Sequence, residues 1–140
     1  MIVPNYNHAA FLKERLASIR QQSFQDYELI ILDDASDDDS LAVVATELAT
    51  IEHQLIVNSR NSGSPCSQWL KGIGLARGDF IWIAESDDSC ASDFLSHLIP
   101  RLEEGAALAY CRSAAIDADG VDISATTDRK STRLNSSHLV

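Results

Sequence analysis

Apolar positions along the chain fall into two rhythms. Tyr27–Leu32 and Phe80–Ala84 are short unbroken runs, the pattern of strands covered on both faces. Met1–Pro4 reads as the end of a first strand, and Gln54–Asn58 as a short third one. Helical spacing fills the gaps between them. Leu12, Leu16 and Ile19 make a buried stripe within Ala9–Gln22, with Asn7 available to cap it. Leu41, Val44, Ala45 and Leu48 mark a second helix, and Trp69, Ile73 and Ala76 a third, with Gly78 as its stop signal. A fourth helix, capped by Ser92, turns Phe94, Leu95, Leu98, Ile99 and Leu102 inward, and Pro100 is expected to kink or shorten it. Ala107–Ile116 reads as a further strand, and Ala118-Asp119-Gly120 as a turn into Val121–Ile123. Alternating strands and helices predict an α/β fold, a mainly parallel sheet with helices on both faces.

The runs end in acids. Tyr27–Leu32 stops at Asp33-Asp34, and Phe80–Ala84 stops at Glu85-Ser86-Asp87-Asp88. Parallel strands put their carboxyl ends on one edge, so Tyr6, Asp33, Asp34 and Glu85–Asp88 should converge there, where open α/β sheets bind ligands. Carboxylates packed this closely repel unless something positive lies among them. A hard divalent cation answers that need and leaves positions open for phosphate oxygens. The plain alternative is a solvated acidic turn leading into a helix. Asp37–Asp39 reads as a solvated helix start, Trp69 and Trp82 as core, and His8 as an exposed loop residue. His53 and His97 lack metal-ligand spacing.

Composition narrows the function classes. With 140 residues, 45% hydrophobic and 23% charged, the chain is one domain's worth of globular protein. Its net charge of −10 argues against nucleic acid as a partner. No apolar run reaches the length of a membrane span. Cys66, Cys90 and Cys111 form no disulfide framework or metal pair; they read as buried packing residues in a reducing compartment. Residues 128–140 change abruptly to polar and basic, resemble a translated sequencing-adapter read-through, with a natural disordered tail as the alternative, and are set apart from the domain expected over residues 1–127. The chain reads as a fragment clipped at both ends.

Pro4-Asn5-Tyr6-Asn7, Gln22-Ser23-Phe24, the run ending Asp33-Asp34-Ala-Ser, Asn61-Ser-Gly63, Gly72, and Ala76-Arg-Gly78 leading to Glu85-Ser86-Asp87-Asp88 together resemble the family 2 glycosyltransferases. The resemblance implies the Rossmann-like GT-A fold, here incomplete. It also implies an enzyme that moves a sugar, with inversion, from a nucleotide-diphosphate donor to a glycan or lipid-linked acceptor in bacterial polysaccharide synthesis. Carried over residue by residue, it places Pro4 and Tyr6 at the nucleoside and Asp34 at the base edge with Asp33 beside it. Glu85 would face the ribose or sugar, Asp87 would hold Mg2+ or Mn2+, and Asp88 would support them. The motif's first acid is Glu85 rather than an aspartate. Ser62–Gln68 carries no basic residue to meet the nucleotide, leaving Lys71 or Arg77 as substitutes. The catalytic base belongs to the second half of such a domain, so none is assigned and the fragment is expected to be inactive. Its expected location is the cytoplasm, at the inner face of the membrane in the parent enzyme.

A different class competes on the same acids. Signalling receiver modules hold magnesium with a strand-end acidic pair like Asp33-Asp34. They also need a lone strand-end aspartate, a later Ser or Thr and a lysine, and this chain has Glu-Ser-Asp-Asp and no such lysine. A sugar nucleotidyltransferase would need a glycine- and basic-rich loop after the first strand, which is absent.

Overall fold

Residues 1–115 and 123 are described by the computed structural model. Three parallel strands lie in the order β1 (Ile2–Asn5), β2 (Ile30–Asp33), β3 (Gln54–Val57). Their registers align the carboxyl ends: Asn5 sits opposite Asp33, and Asp33 opposite Val57. The chain then crosses back to the free side of β1. There Ile83 bridges Ile2 in parallel, with Ile2 N–H donating to Trp82 O and Ala84 N–H to Ile2 O, both at 2.8 Å. The run Phe80–Ala84, with bridge positions at Trp82 and Ile83 alone, therefore extends the sheet without being a full strand. The direction of winding reverses between β1 and this segment, and that reversal is where such sheets open a crevice.

Alternation along the strands divides the core in two. Val3, Leu29, Ile31, Trp82 and Ala84 face one way, against Leu12, Leu16 and Ile19 of α1 (Ala9–Arg20), Val44 of α2 (Ser40–Glu47), and Phe94, Leu95, Leu98 and Leu102 of α4 (Phe94–Glu103). Ile2, Ile30 and Leu32 face the other way, with Ile56 and Ile83 packed beside them. This second face is covered by α3 (Pro65–Leu75).

Helix α3 corrects a sequence expectation. Its buried residues are Gln68 and Gly72, not Trp69 and Ile73, and Ile73 is exposed. The helix lies close enough to β1 that a Cβ on Gly72 would come within 2.5 Å of Ile2 Cγ2. A glycine contributes nothing to an apolar stripe, so periodicity misses the face that makes the closest approach. Helical alanine is worth about 1 kcal/mol over glycine, but overpacking costs about 1–3 kcal/mol. We expect Gly72→Ala to lose about 1 kcal/mol or more, read from the urea midpoint. Equal or greater stability would show that Ile2 moves aside freely.

Helix ends also differ from the sequence reading. Asn7 does not cap α1; it adopts φ 55° and its Oδ1 accepts Asp37 N–H at 2.9 Å. Asp38 does the capping instead, with Oδ2 accepting Ala9 N–H at 2.8 Å and Oδ1 accepting Ser40 N–H at 2.9 Å. One carboxylate of the supposedly solvated Asp37–Asp39 run thus serves the amino ends of both α1 and α2. Burial opposes ionisation of Asp38, but these bonds from Ser40 and Ala9 hold its carboxyl below the usual range. α3 ends with Ala76 extended, while Gly78 N–H donates to Glu28 Oε1. Asp93 rather than Ser92 precedes α4, and Gln22 Oε1 accepts Leu95 N–H at 3.0 Å. α4 runs on past Pro100 to Glu103.

Within Ala107–Ile116 the described residues show a single bridge position, at Ala109, and no strand. Ala109 is buried while Leu108 and Tyr110 are exposed, so this run is covered on one side only. The predicted turn Ala118-Asp119-Gly120 lies outside the described residues. Cys66 and Cys111 are exposed and Cys90 is half-buried, against the expectation of three packing residues.

Candidate functional site

A cleft of about 390 Å³ opens at the carboxyl edge of the sheet, at the winding reversal. β1 and the corner after it contribute Pro4, Asn5, Tyr6 and His8. Asp34 forms the back, Asn61, Gly63, Ser64, Pro65 and Gln68 the opposite wall, and Glu85 and Ser86 the third side. Residues some eighty positions apart thus meet as the strand alternation predicts. His8 closes one side through a 2.7 Å hydrogen bond between its Nδ1 and Ser86 Oγ. A separate cavity of about 450 Å³, around Tyr27, Phe80 and Arg77, contains none of the predicted site residues.

Asp34 is the clasp of the loop wall. Its Oδ1 accepts Asn58 Nδ2 at 2.5 Å, Gln68 Nε2 at 2.9 Å and Ser62 N–H at 3.0 Å. Its Oδ2 accepts Ser62 Oγ at 2.7 Å and the same Ser62 N–H at 3.0 Å. Burial alone would raise its pKa, but the hydrogen bonds from Ser62 and Asn58, with the charge of Lys71, hold it below the usual carboxylate range. Asp33 has a different task. Its oxygens take Asn5 Nδ2, Ser36 N–H and Ser36 Oγ, tying β1 to the turn after β2. It does not line the cleft. Ala35, the residue after this acidic pair, holds φ 63°, a left-handed conformation that carries strain for any residue with a Cβ.

The cleft is rich in acceptors that lack partners. Asn5 Oδ1, Gln68 Oε1 and Glu85 Oε1 are all buried with no hydrogen bond among the described residues. The amide orientations follow from the network, because each NH2 faces a carboxylate that can only accept. Among the described residues no lysine or arginine lines the cleft. Lys71 reaches Asn58 Oδ1 instead, and Arg77 pairs with Glu28 at 3.1 Å, beside the other cavity. Burial pushes the Glu85 carboxyl up; the nearby Trp69 indole and Arg15 oppose this, and Asp87 and Asp88 reinforce it. Even so, Trp69 Nε1 and Glu85 Oε1 close no hydrogen bond with each other.

Arg15 is the residue the sequence reading missed. It is fully buried beneath the acidic turn. Nε donates to Glu85 O at 2.7 Å, Nη1 to Cys90 Sγ at 3.7 Å, and Nη2 lies 3.8 Å from Asp88 Oδ2. The guanidinium also lies 5.5 Å from the centroid of the Trp82 ring. Sequence alone held one signal: Arg15 stands at the i+3 place in the Leu12, Leu16, Ile19 stripe, where a solvated arginine would not be. The positive charge demanded by the clustered acids is thus partly supplied by the protein itself. Asp87 is exposed, with no hydrogen bond or ion pair among the described residues, and neither it nor Asp88 lines the cleft. Among the described residues no three His, Cys, Asp or Glu gather closely enough to hold a metal unaided.

The profile of glycosyl transferase family 2 matches residues 1–138. The chain belongs to this family. A family 2 relative, the GalNAc(5)-diNAcBac-PP-undecaprenol beta-1,3-glucosyltransferase of Campylobacter jejuni, is 32% identical over 106 residues, 75% of this chain and 34% of that protein. TarS 1-349 of S. aureus in complex with UDP-GlcNAc superposes with a TM-score of 0.69 and 28% identity, covering 74% of this chain and 30% of that one. The mannosyltransferase PcManGT of Pyrobaculum calidifontis, in complex with GDP-Man and Mn2+, shares the fold at a TM-score of 0.73 and 24% identity, covering 80% and 34%. The family 2 chain described here therefore spans about a third of the length of these relatives. Its Rossmann-like fold is that of the GT-A enzymes among them. Family membership sets aside the receiver alternative. No helix among the described residues is long and apolar enough to cross a membrane.

Proposed function

We propose that this chain is the donor-nucleotide half of an enzyme that transfers a sugar, with inversion, from a nucleoside diphosphate to a glycan or lipid-linked acceptor. The observation that carries the reading is the cleft: three buried acceptors without partners, at the winding reversal of a family 2 fold, ask for a ligand rich in N–H and O–H donors. A nucleoside and a sugar are such a ligand. Pro4 and the half-exposed Tyr6 ring would form the nucleoside floor, with the Tyr6 face open for stacking. Asp34 acts through the Asn61–Pro65 wall it holds, against which the base would lie. Glu85 would take ribose or sugar hydroxyls, which would satisfy its orphaned oxygen. Asp33 supports the site from behind rather than by contact.

A cleft with two carboxylates and, among the described residues, no lysine or arginine repels a diphosphate. A divalent cation fits this donor set, since Mg2+ and Mn2+ accept one or two carboxylates and complete their shells with phosphate oxygens. Asp87, exposed one residue beyond the cleft wall, would hold it, and Asp88 would steady the turn. When bound, the cation would neutralise the departing diphosphate. The PcManGT complex with GDP-Man and Mn2+ and the TarS complex with UDP-GlcNAc support donor and metal for the fold. The undecaprenol in the Campylobacter relative's name supports a lipid-linked acceptor, and with it a site of action at the membrane surface. The base that accepts the proton of the attacking hydroxyl is assigned to no described residue.

Calorimetry tests the reading directly. Titrating UDP and GDP into the chain with and without Mn2+ is expected to show saturable, metal-dependent binding in the sub-millimolar range, about −4 to −7 kcal/mol. Absence of metal-dependent heat with every common nucleoside diphosphate would sink it.

A further inference from the structure

The acidic turn is not held by its own sequence. Glu85 through Cys90 is a stretch with no helix and no strand, carrying three carboxylates at one strand end. Like charges in such a turn push apart, and each could take several orientations. Three of its points converge instead on one side chain from a different layer of the molecule. Arg15 Nε donates to the Glu85 carbonyl and Nη1 to the Cys90 sulfur, while Nη2, which makes no hydrogen bond among the described residues, faces the Asp88 carboxylate as an ion pair at 3.8 Å. A fourth neighbour, Trp82, lies on the segment just before the turn, its ring centroid 5.5 Å from the guanidinium carbon. Cys90 Sγ passes the tether on, donating towards Ser18 Oγ at 3.6 Å, one helical turn along α1.

We propose that Arg15 is the positioning residue of this turn. Its planar fork fixes the backbone at Glu85 and draws Asp88 inward, which leaves Asp87 as the carboxylate presented outward to a cation. The fork matters, not the charge alone. A guanidinium offers donors in a rigid plane that can meet a carbonyl, a thiol and a carboxylate at once, and an ammonium is a point charge that cannot. Burying a charged group where methionine or leucine would fill the same volume is unfavourable, so a fully buried Arg15 belongs where geometry has to be specified. Asp88 accordingly acts by orienting the turn through Arg15, and Asp87 by ligation.

Hydrogen exchange on the full chain tests this without any ligand. Arg15→Lys and Arg15→Gln are both expected to speed amide exchange across residues 85–90 by about tenfold beyond any change in β2. Wild-type exchange rates in Arg15→Lys would overturn the fork, because charge would then suffice. Acceleration spread evenly over the chain would also overturn it, since Arg15 would then be core filling only. Where neither variant keeps a native near-ultraviolet circular dichroism spectrum, Asp88→Asn carries the test. Faster exchange confined to residues 85–90 supports the role, and unchanged exchange overturns it. A second readout rests on the donor-site reading: Mn2+-dependent UDP binding should weaken about tenfold in Arg15→Lys, equal to Arg15→Gln. If the wild-type chain takes no Mn2+ and UDP, that reading fails while the exchange result still decides the role of Arg15.

Discussion

Asp34→Ala is expected to lower the stability of the chain by about 3 kcal/mol and to release the loop wall of the cleft. The carboxylate accepts from Asn58, Gln68, Ser62 N–H and Ser62 Oγ, and alanine leaves all of these donors without their acceptor. Each bond to a charged acceptor is worth about 1.5–3 kcal/mol when partners are left behind, and partial rehydration of the exposed Ser62 returns some of it. Asp34→Asn separates charge from shape. It keeps one oxygen for Gln68 and Asn58 and sets an amide NH2 near Ser62, whose hydroxyl can turn to accept. A loss of about 1–2 kcal/mol is expected, read from urea midpoints alongside Asp34→Ala. Equal losses in the two variants would show that the network is not what Asp34 contributes.

The same carboxylate makes stability depend on pH. Its folded pKa lies below the unfolded one, so the folded state binds its proton less readily. The stabilisation is complete above the unfolded value, about 3.9, and is lost as pH falls through the lower folded value. Asp38 and Glu28 act in the same direction, Glu28 chiefly through the Arg77 N–H that its side chain accepts. The fall in stability towards acid pH should therefore be shallower in Asp34→Asn than in the wild type, because the variant has no proton to take up at that position.

The fold was largely readable because its elements differ in period. Short apolar segments gave β1, β2 and β3 to within a few residues, and the stripes gave four helices. Errors arose where the deciding contact is not apolar. Gly72 brings α3 onto Ile2 by lacking a side chain, and a hydrophobic stripe cannot register that. Phe80–Ala84 has the composition of a central strand, yet only Ile83 bridges β1, since the number of ladder bonds is set by tertiary placement. The rim of acids was legible from strand direction alone. Which acid does what was not. Asp33 and Asp34 are neighbours in sequence, but one ties β1 to a turn and the other holds a loop that begins 24 residues later. The need for a positive charge among Glu85, Asp87 and Asp88 could be derived from repulsion. Its source, Arg15, lies 70 residues back in the chain, disguised within a helical stripe.

Asp87→Ala is expected to leave the fold intact and to remove the metal-dependent part of nucleotide binding. Asp87 is exposed and engages no described residue through a hydrogen bond or ion pair, so its removal leaves no orphaned partner and the urea midpoint should not move. The effect on ligand should be large for the same reason. Among the described residues no three acidic, histidine or cysteine side chains gather to hold a cation, so the cation depends on one or two carboxylates and on the diphosphate itself. Without Asp87, Glu85 is the remaining candidate besides Asp88, which faces Arg15, and the Glu85 carboxyl is buried and held towards the neutral form. Affinity for UDP in saturating Mn2+ should fall to the metal-free value, a loss of about a hundredfold or more if the cation supplies about 3 kcal/mol. Asp88→Asn separates ligation from orientation, because it loosens the turn through Arg15 while leaving Asp87 in place. Its loss in the same titration should be smaller and accompanied by lower stability. Unchanged metal-dependent affinity in Asp87→Ala, with full loss in Asp88→Asn, would move the cation to Asp88 and reverse the roles of the two neighbouring acids.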